Sequence, residues 1–216
     1  MKLDHCMYGQ WLWKAGADMT QTEKTINYYN QNAASFASGT QDADMEELRR
    51  KFADKLRAES FILDFGCGSG RDTRAFLSDG FRVEALDGSE ELCRIAEQYC
   101  GIPVRQMHFQ DFSEKNRYDG IWACASILHL SMEELEAVFL KMADALRFHG
   151  IIYASFKYGE FEGERNGRYF TDMTERRLEE LLKSVPHLRL EEAWLTTDVR
   201  PGRDTEKWLN VILRKA

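Results

Sequence analysis

Apolar and polar positions alternate along the chain in two different periods. Residues 61–65 (Phe-Ile-Leu-Asp-Phe) form a short, nearly continuous apolar run, the pattern of a strand buried on both faces of a parallel sheet. Similar runs follow at 82–86, 103–107, 118–124 and 151–156, and helical stretches separate them at 71–78, 89–99 and 131–147. Ser89 is placed to cap the second of these helices, with Glu90 and Glu91 in its first turn, and Ser131-Met132-Glu133-Glu134 reads as a capping box opening the third. Two further helices are predicted ahead of the first strand, over 21–36 and 44–58. The latter carries Met45, Leu48, Phe52 and Leu56 on one stripe. Strands alternating with helices imply right-handed crossovers and a doubly wound sheet.

The last third breaks this rhythm. After a helix over 174–184, two strand-like runs at 189–197 and 207–214 are joined by only about nine residues, including Pro201-Gly202. That link is too short for a helical crossover, so the two strands should be antiparallel neighbours. The predicted fold class is therefore α/β: a doubly wound, mostly parallel, seven-stranded Rossmann-like sheet with one antiparallel C-terminal strand. Residues 1–18 read as an extension, either disordered or a small docking segment, and 19–216 as one domain.

The 216 residues suffice for one domain with a substantial core and are few for two. At 44% hydrophobic and 30% charged, the composition is that of a globular protein. A net charge of −7 and a pI of about 5.4 argue against a protein that tracks a nucleic-acid backbone. The five cysteines are scattered without a CxxC pair or zinc-like spacing, as expected of reduced cytoplasmic thiols, and no metal site is expected. No apolar run approaches the roughly 20 residues that cross a bilayer.

The candidate chemistry sits at Asp64-Phe65-Gly66-Cys67-Gly68-Ser69-Gly70, where the first strand ends and a helix begins. In an open α/β sheet ligands bind at such carboxyl ends. Glycines let the backbone turn and approach a ligand, and the helix N-terminus offers N–H groups to an anion. The spacing is G-x-G-x-G with Arg71 next, not the G-x-G-x-x-G of a dinucleotide site. Asp64 would be poorly placed beside a pyrophosphate, but suits an amino-acid ammonium or a sulfonium. The loop therefore favours S-adenosylmethionine. Asp87, 17 residues after Gly70, fits a carboxylate for two ribose hydroxyls, with Gly88 and Ser89 bordering the adenine. Asp111 is expected to receive the adenine amino group and Phe112 to cover a ring face.

In this order, Ile62 through Gly70, Leu86-Asp87, Asp111-Phe112, Tyr118-Asp119 and Ser126-Ile127-Leu128-His129-Leu130 resemble class I methyltransferases over about residues 25–215. Within the class the chain looks like the small-molecule branch of ubiquinone-, trans-aconitate- and tellurite-resistance-type enzymes, Gly70-Arg71-Asp72 being most similar to the last. The resemblance implies methyl transfer from S-adenosylmethionine to a small molecule. It also implies a helical lid over 19–58, carrying Tyr28 and Tyr29, above a sheet core over 59–216. His129 is the candidate general base or orienting donor. Lys157, Arg168 and Arg200 are the candidate anchors for an anionic acceptor, beside a tight turn expected at Asn166-Gly167. Cys67 and Arg71 complete the expected cofactor set, Arg71 facing the cofactor carboxylate or pairing with Asp72 or Asp87. The alternatives are an RNA or protein methyltransferase and a non-catalytic cofactor-binding protein.

Overall fold

The computed structural model describes residues 19–200 and 202–216, so the expectations for 1–18 and for Pro201 lie outside the described residues. The elements run α1 (Gln21–Thr40), α2 (Glu46–Ala53), β1 (Phe61–Phe65), α3 (Arg71–Ser78), β2 (Arg82–Asp87), α4 (Glu90–Cys100), β3 (Val104–Gln106), β4 (Tyr118–Ala123), α5 (Met132–Ala145) and β5 (Leu146–Lys157). A hairpin of β6 (Glu162–Arg165) and β7 (Arg168–Thr171) follows, then α6 (Glu175–Lys183), β8 (Leu188–Thr197) and β9 (Lys207–Lys215). Seven strands make one sheet in the order β3-β2-β1-β4-β5-β9-β8. Every pairing from β3 to β5 is parallel, and β9 runs antiparallel to both of its neighbours. The predicted fold class is the observed one.

Successive residues of a strand point to opposite faces, and that alternation sorts the core. On one face, Ile62, Trp122, Ile151 and Tyr153 pack with Phe76 of α3 and Phe52 of α2. On the other, Leu63, Phe65, Ile121 and Ile152 pack with Leu135, Val138 and Phe139 of α5 and Leu178 of α6. Trp122 and Tyr153 stack at 3.9 Å between ring centroids, next to the wholly buried Phe52. Helix α2 thus belongs to the wall of the core, and of the two helices ahead of β1 it is α1 that lies across the carboxyl ends of the strands.

Local signals explain the helix starts. Ser89 and Ser131 cap α4 and α5 as expected, the latter in a full capping box with Glu134. Thr20 and Glu23 form a second capping box that sets the start of α1. That helix runs four residues beyond its expected end, whereas α2 stops at Ala53 and unwinds into turns before Leu56. The Asn166-Gly167 turn closes the β6–β7 hairpin with φ of 50° and 75°, the left-handed pair that a tight two-residue turn requires.

Candidate active site

The sheet reverses its strand order between β1 and β4, and a cavity of about 490 Å³ opens above that point. Its walls divide into two regions. One is built from the glycine loop, the end of β2 and the segment after β3. The other is built from α1, the loops after β4 and β5, the β6–β7 hairpin and the turn before β9.

In the first region the backbone does most of the shaping. Gly66 has a φ of +87°, and a β-carbon there would lie 2.4 Å from Cβ of Ser126, so only glycine lets the loop pass the end of β4. Gly68 faces the cavity beneath the ring of Phe36, which lies 3.2 Å from where its β-carbon would be. Gly70 does not line the cavity: it caps α3 in the left-handed conformation and packs on Ala96 of α4. Its role is helix packing, a correction to its expected place among the ligand-facing glycines.

Asp87 is held by two backbone amides. Its Oδ2 accepts from Gly68 N at 2.9 Å and its Oδ1 from Ser89 N at 2.9 Å, leaving lone pairs of both oxygens toward the cavity. Burial nonetheless pushes its carboxyl above the ordinary value. Ser89 and Gly88 line the same wall, and Ser89 Oγ donates to Asn30 Oδ1 of α1 at 2.7 Å. Asp64 is buried and accepts from Thr73 Oγ1 at 2.6 Å. Burial first, then the nearby Asp72 carboxylate, pushes the Asp64 carboxyl up to about 7. Arg71 offsets this only in part, because its guanidinium grips Asp72 with Nε–Oδ1 at 2.9 Å and Nη2–Oδ2 at 2.6 Å, and also donates to Thr40 O. Arg71 still lines the cavity, as does the buried Cys67, whose thiol burial holds well above its usual range.

The segment after β3 departs from expectation by one residue. Asp111 is exposed outside the cavity, and Phe112 is wholly buried under Phe65. The short 3-10 turn Phe109–Asp111 rotates Met107, His108, Phe109 and Gln110 into the wall instead. Gln110 Nε2 donates to Thr22 Oγ1 and Glu134 Oε1, while its Oε1 is buried with no donor. Buried carbonyl oxygens are rarely left so. No signal of period or spacing singles out Gln110 over Asp111 in the sequence.

In the second region side chains from distant segments meet. Tyr29 Oη lies 2.8 Å from His129 Nε2, and His129 Nδ1 lies 2.6 Å from Tyr169 O. The carbonyl fixes the tautomer: Nδ1–H donates to Tyr169, so Nε2 accepts from the Tyr29 hydroxyl. Arg168 Nη1 in turn donates to Tyr29 Oη at 3.2 Å. Burial, together with the Arg168 charge, lowers His129 to about 4. The imidazole thus sits neutral with both nitrogens engaged, which suits the orienting role and not that of a direct base at neutral pH. The three candidate anchors separate here. Lys157 is paired with Glu206, and Arg200 is clamped on Asp198 with Nε–Oδ1 at 2.8 Å. Arg168 has no carboxylate within salt-bridge distance among the described residues. Its guanidinium lies 4.3 Å from the Tyr28 ring centroid and 5.1 Å from that of Phe170.

Residues 62–150 match the family model described as methyltransferase domain. The chain is 34% identical over 113 residues to N-terminal Xaa-Pro-Lys N-methyltransferase 1 of Xenopus tropicalis, a match covering 49% of this chain and 50% of that protein. The chain thus spans about half the length of the curated relatives it matches. Among solved structures, Burkholderia thailandensis 1,6-didemethyltoxoflavin-N1-methyltransferase, with bound 1,6-didemethyltoxoflavin and S-adenosylhomocysteine, superposes with a TM-score of 0.75 at 20% identity, covering 97% of this chain and 98% of that one. A Leishmania major S-adenosylmethionine-dependent methyltransferase gives 0.73 at 18% identity, covering 89% and 82%. Both likenesses are of fold.

Proposed function

We propose that this chain, a class I methyltransferase by its fold and by the family model matched over residues 62–150, transfers a methyl group from S-adenosylmethionine to a small-molecule acceptor in the cytoplasm. The observation that carries the reading is a pair of carboxylates, the buried Asp64 and the half-buried Asp87, at the ends of β1 and β2 on either side of a glycine loop. Asp87 offers two acceptor oxygens already oriented by backbone amides, as a vicinal diol requires. Asp64 is a carboxyl whose ionisation awaits a cation, which the cofactor's ammonium supplies. Gln110 Oε1, buried and without a donor, suits the adenine amino group. When bound, the cofactor supplies an electrophilic methyl on a sulfonium.

The remaining work falls to the chain. Helix α1 closes the cavity from above, excluding water, while Tyr29 and His129 fix the position of the acceptor beside the methyl. With His129 neutral and doubly bonded, it orients Tyr29, and Tyr29 presents the polar atom to the acceptor.

A second reading follows from the Xenopus relatives, named for methylating protein N-termini. Against it stands the charge of the acceptor region: Lys157, Arg200 and Arg203 there are paired with Glu206 and Asp198, which leaves the Arg168 cation without a carboxylate among the described residues. A cationic peptide N-terminus would meet repulsion. Calorimetric titration with S-adenosylhomocysteine tests the cofactor assignment, and absence of heat at high micromolar concentrations rejects it. Transfer of label from cofactor to peptides beginning Xaa-Pro-Lys, with none into small-molecule extracts, would favour the second reading.

A further inference from the structure

The β6–β7 hairpin brings one arginine into the cavity in an unusual state. Among the described residues the Arg168 side chain makes a single hydrogen bond, from Nη1 to Tyr29 Oη. Among the described residues its Nε is buried from solvent without an acceptor, and Nη2 makes no hydrogen bond. The unfilled edge is thus the Nε–Nη2 edge, whose two parallel N–H groups match the two oxygens of a carboxylate. Tyr28, Tyr29 and Phe170 surround the guanidinium at 4.3, 5.6 and 5.1 Å from their centroids. They hold the cation by their ring faces without neutralising it. The contrast with its neighbours is instructive. Lys157, Arg200 and Arg203, lining the same region, each have a carboxylate supplied by the protein itself. The protein provides acids for those three cations and leaves the fourth, which lines the same cavity, with an orphan donor to offer an acid from outside.

Resting on the methyltransferase reading above, we infer that the acceptor carries a planar anion of carboxylate geometry, which the Nε–Nη2 edge of Arg168 takes as a fork between Tyr28 and Phe170. This makes Arg168 a specificity-determining residue. The aromatic rings around it favour an acceptor whose anion sits on a flat, unsaturated body. Because Arg168 also holds Tyr29, which holds His129, docking of the anion places the rest of the acceptor beside that pair.

The test uses the full chain saturated with S-adenosylhomocysteine and two probes of nearly equal shape, benzoate and benzamide. Benzoate should bind at least tenfold tighter than benzamide by calorimetry. Arg168→Gln should erase the difference, and Arg168→Lys, a point charge without a fork, should restore only part of it. Equal affinity for the two probes, failure of benzoate to bind the loaded protein, or a preference that survives in Arg168→Gln would overturn the inference. Circular dichroism shows whether each variant folds, and Arg168→Lys carries the test alone if Arg168→Gln does not. Failure to bind S-adenosylhomocysteine at all would instead reject the methyltransferase reading. Normal loading without an anion preference rejects this inference alone.

Discussion

The two halves of the cavity are built by different means. The cofactor half draws its main residues from a continuous stretch between Asp64 and Ser89, and backbone sets its key features: Gly68 and Ser89 amides hold Asp87, and glycine dihedrals at Gly66 and Gly68 shape the loop. The acceptor half is assembled from Tyr29, His129 and Arg168, on three elements far apart in sequence, and each is held by another side chain or a distant carbonyl. The first arrangement is rigid because β1 and β2 are central strands of a buried sheet. The second rests on a hairpin and a helix that can be altered without disturbing the sheet. A donor site can therefore stay constant while the acceptor site changes beneath the same lid.

This division can be broken or sharpened by measurement. The largest expected effect is Asp87→Ala, which removes two oxygens from the cofactor and leaves the Gly68 and Ser89 amides without their acceptor. Affinity for S-adenosylhomocysteine should fall at least ~100-fold, about 3 kcal/mol; a change under fivefold would mean that Asp87 shapes the loop and touches nothing. Next is the pH response of Asp64. Its folded value, about 7, lies above that of an unfolded aspartate, so the free folded state keeps a proton that the unfolded chain loses between roughly pH 4 and 7. This group therefore makes the free protein less stable as pH rises through that window. His129, lowered to about 4, acts in the opposite sense and loses its contribution as pH falls below its unfolded value. Binding an ammonium group requires Asp64 to ionise, so affinity should weaken up to about tenfold per unit below pH 7 and level off above pH 8. Asp64→Asn should flatten that profile, weaken cofactor binding and raise the melting temperature of the free protein at pH 7.5. A profile unchanged in the variant would assign the effect elsewhere.

Smaller again is Tyr29→Phe in the acceptor half. It leaves His129 Nε2 without a donor and Arg168 without its one acceptor, at a cost of about 1–3 kcal/mol in stability. Denaturant unfolding should show that loss, while S-adenosylhomocysteine affinity shifts less than threefold. An equal loss of both would show that the halves are coupled. The smallest effect belongs to Asp111→Ala: an exposed residue outside the cavity should leave cofactor affinity unchanged within error in the same titration.

Sequence reasoning reached the two halves unequally, for the same physical cause. A strand, a glycine loop and a capped helix are local patterns, so β1, α3, Asp64 and Asp87 could be read directly, as could the antiparallel β8–β9 pair from its short link. The off-by-one at Asp111 and Gln110 arises in a 3-10 turn, whose rotation no hydrophobic period encodes. In the acceptor half each of Tyr29, His129 and Arg168 stood out by type, but their meeting did not. Nor did the pairing of Lys157 with Glu206, 49 residues away, that sets it apart from Arg168. Gly70, by contrast, looked like a ligand contact because its neighbours line the cavity, and only the proximity of Ala96 on α4 reveals its use.

The reach of α1 has a consequence for how the chain is made. The helix bonds to Tyr169 across 144 residues and to Arg168 across 139. At synthesis rates of roughly 5–20 residues per second, the helix leaves the ribosome roughly 7 to 30 s before those partners exist. Its other anchors, Ser89 and His129, arrive in between, so the cavity must be roofed late, after its floor has formed. The newborn chain spends that interval with one half of its cavity open and the other unmade.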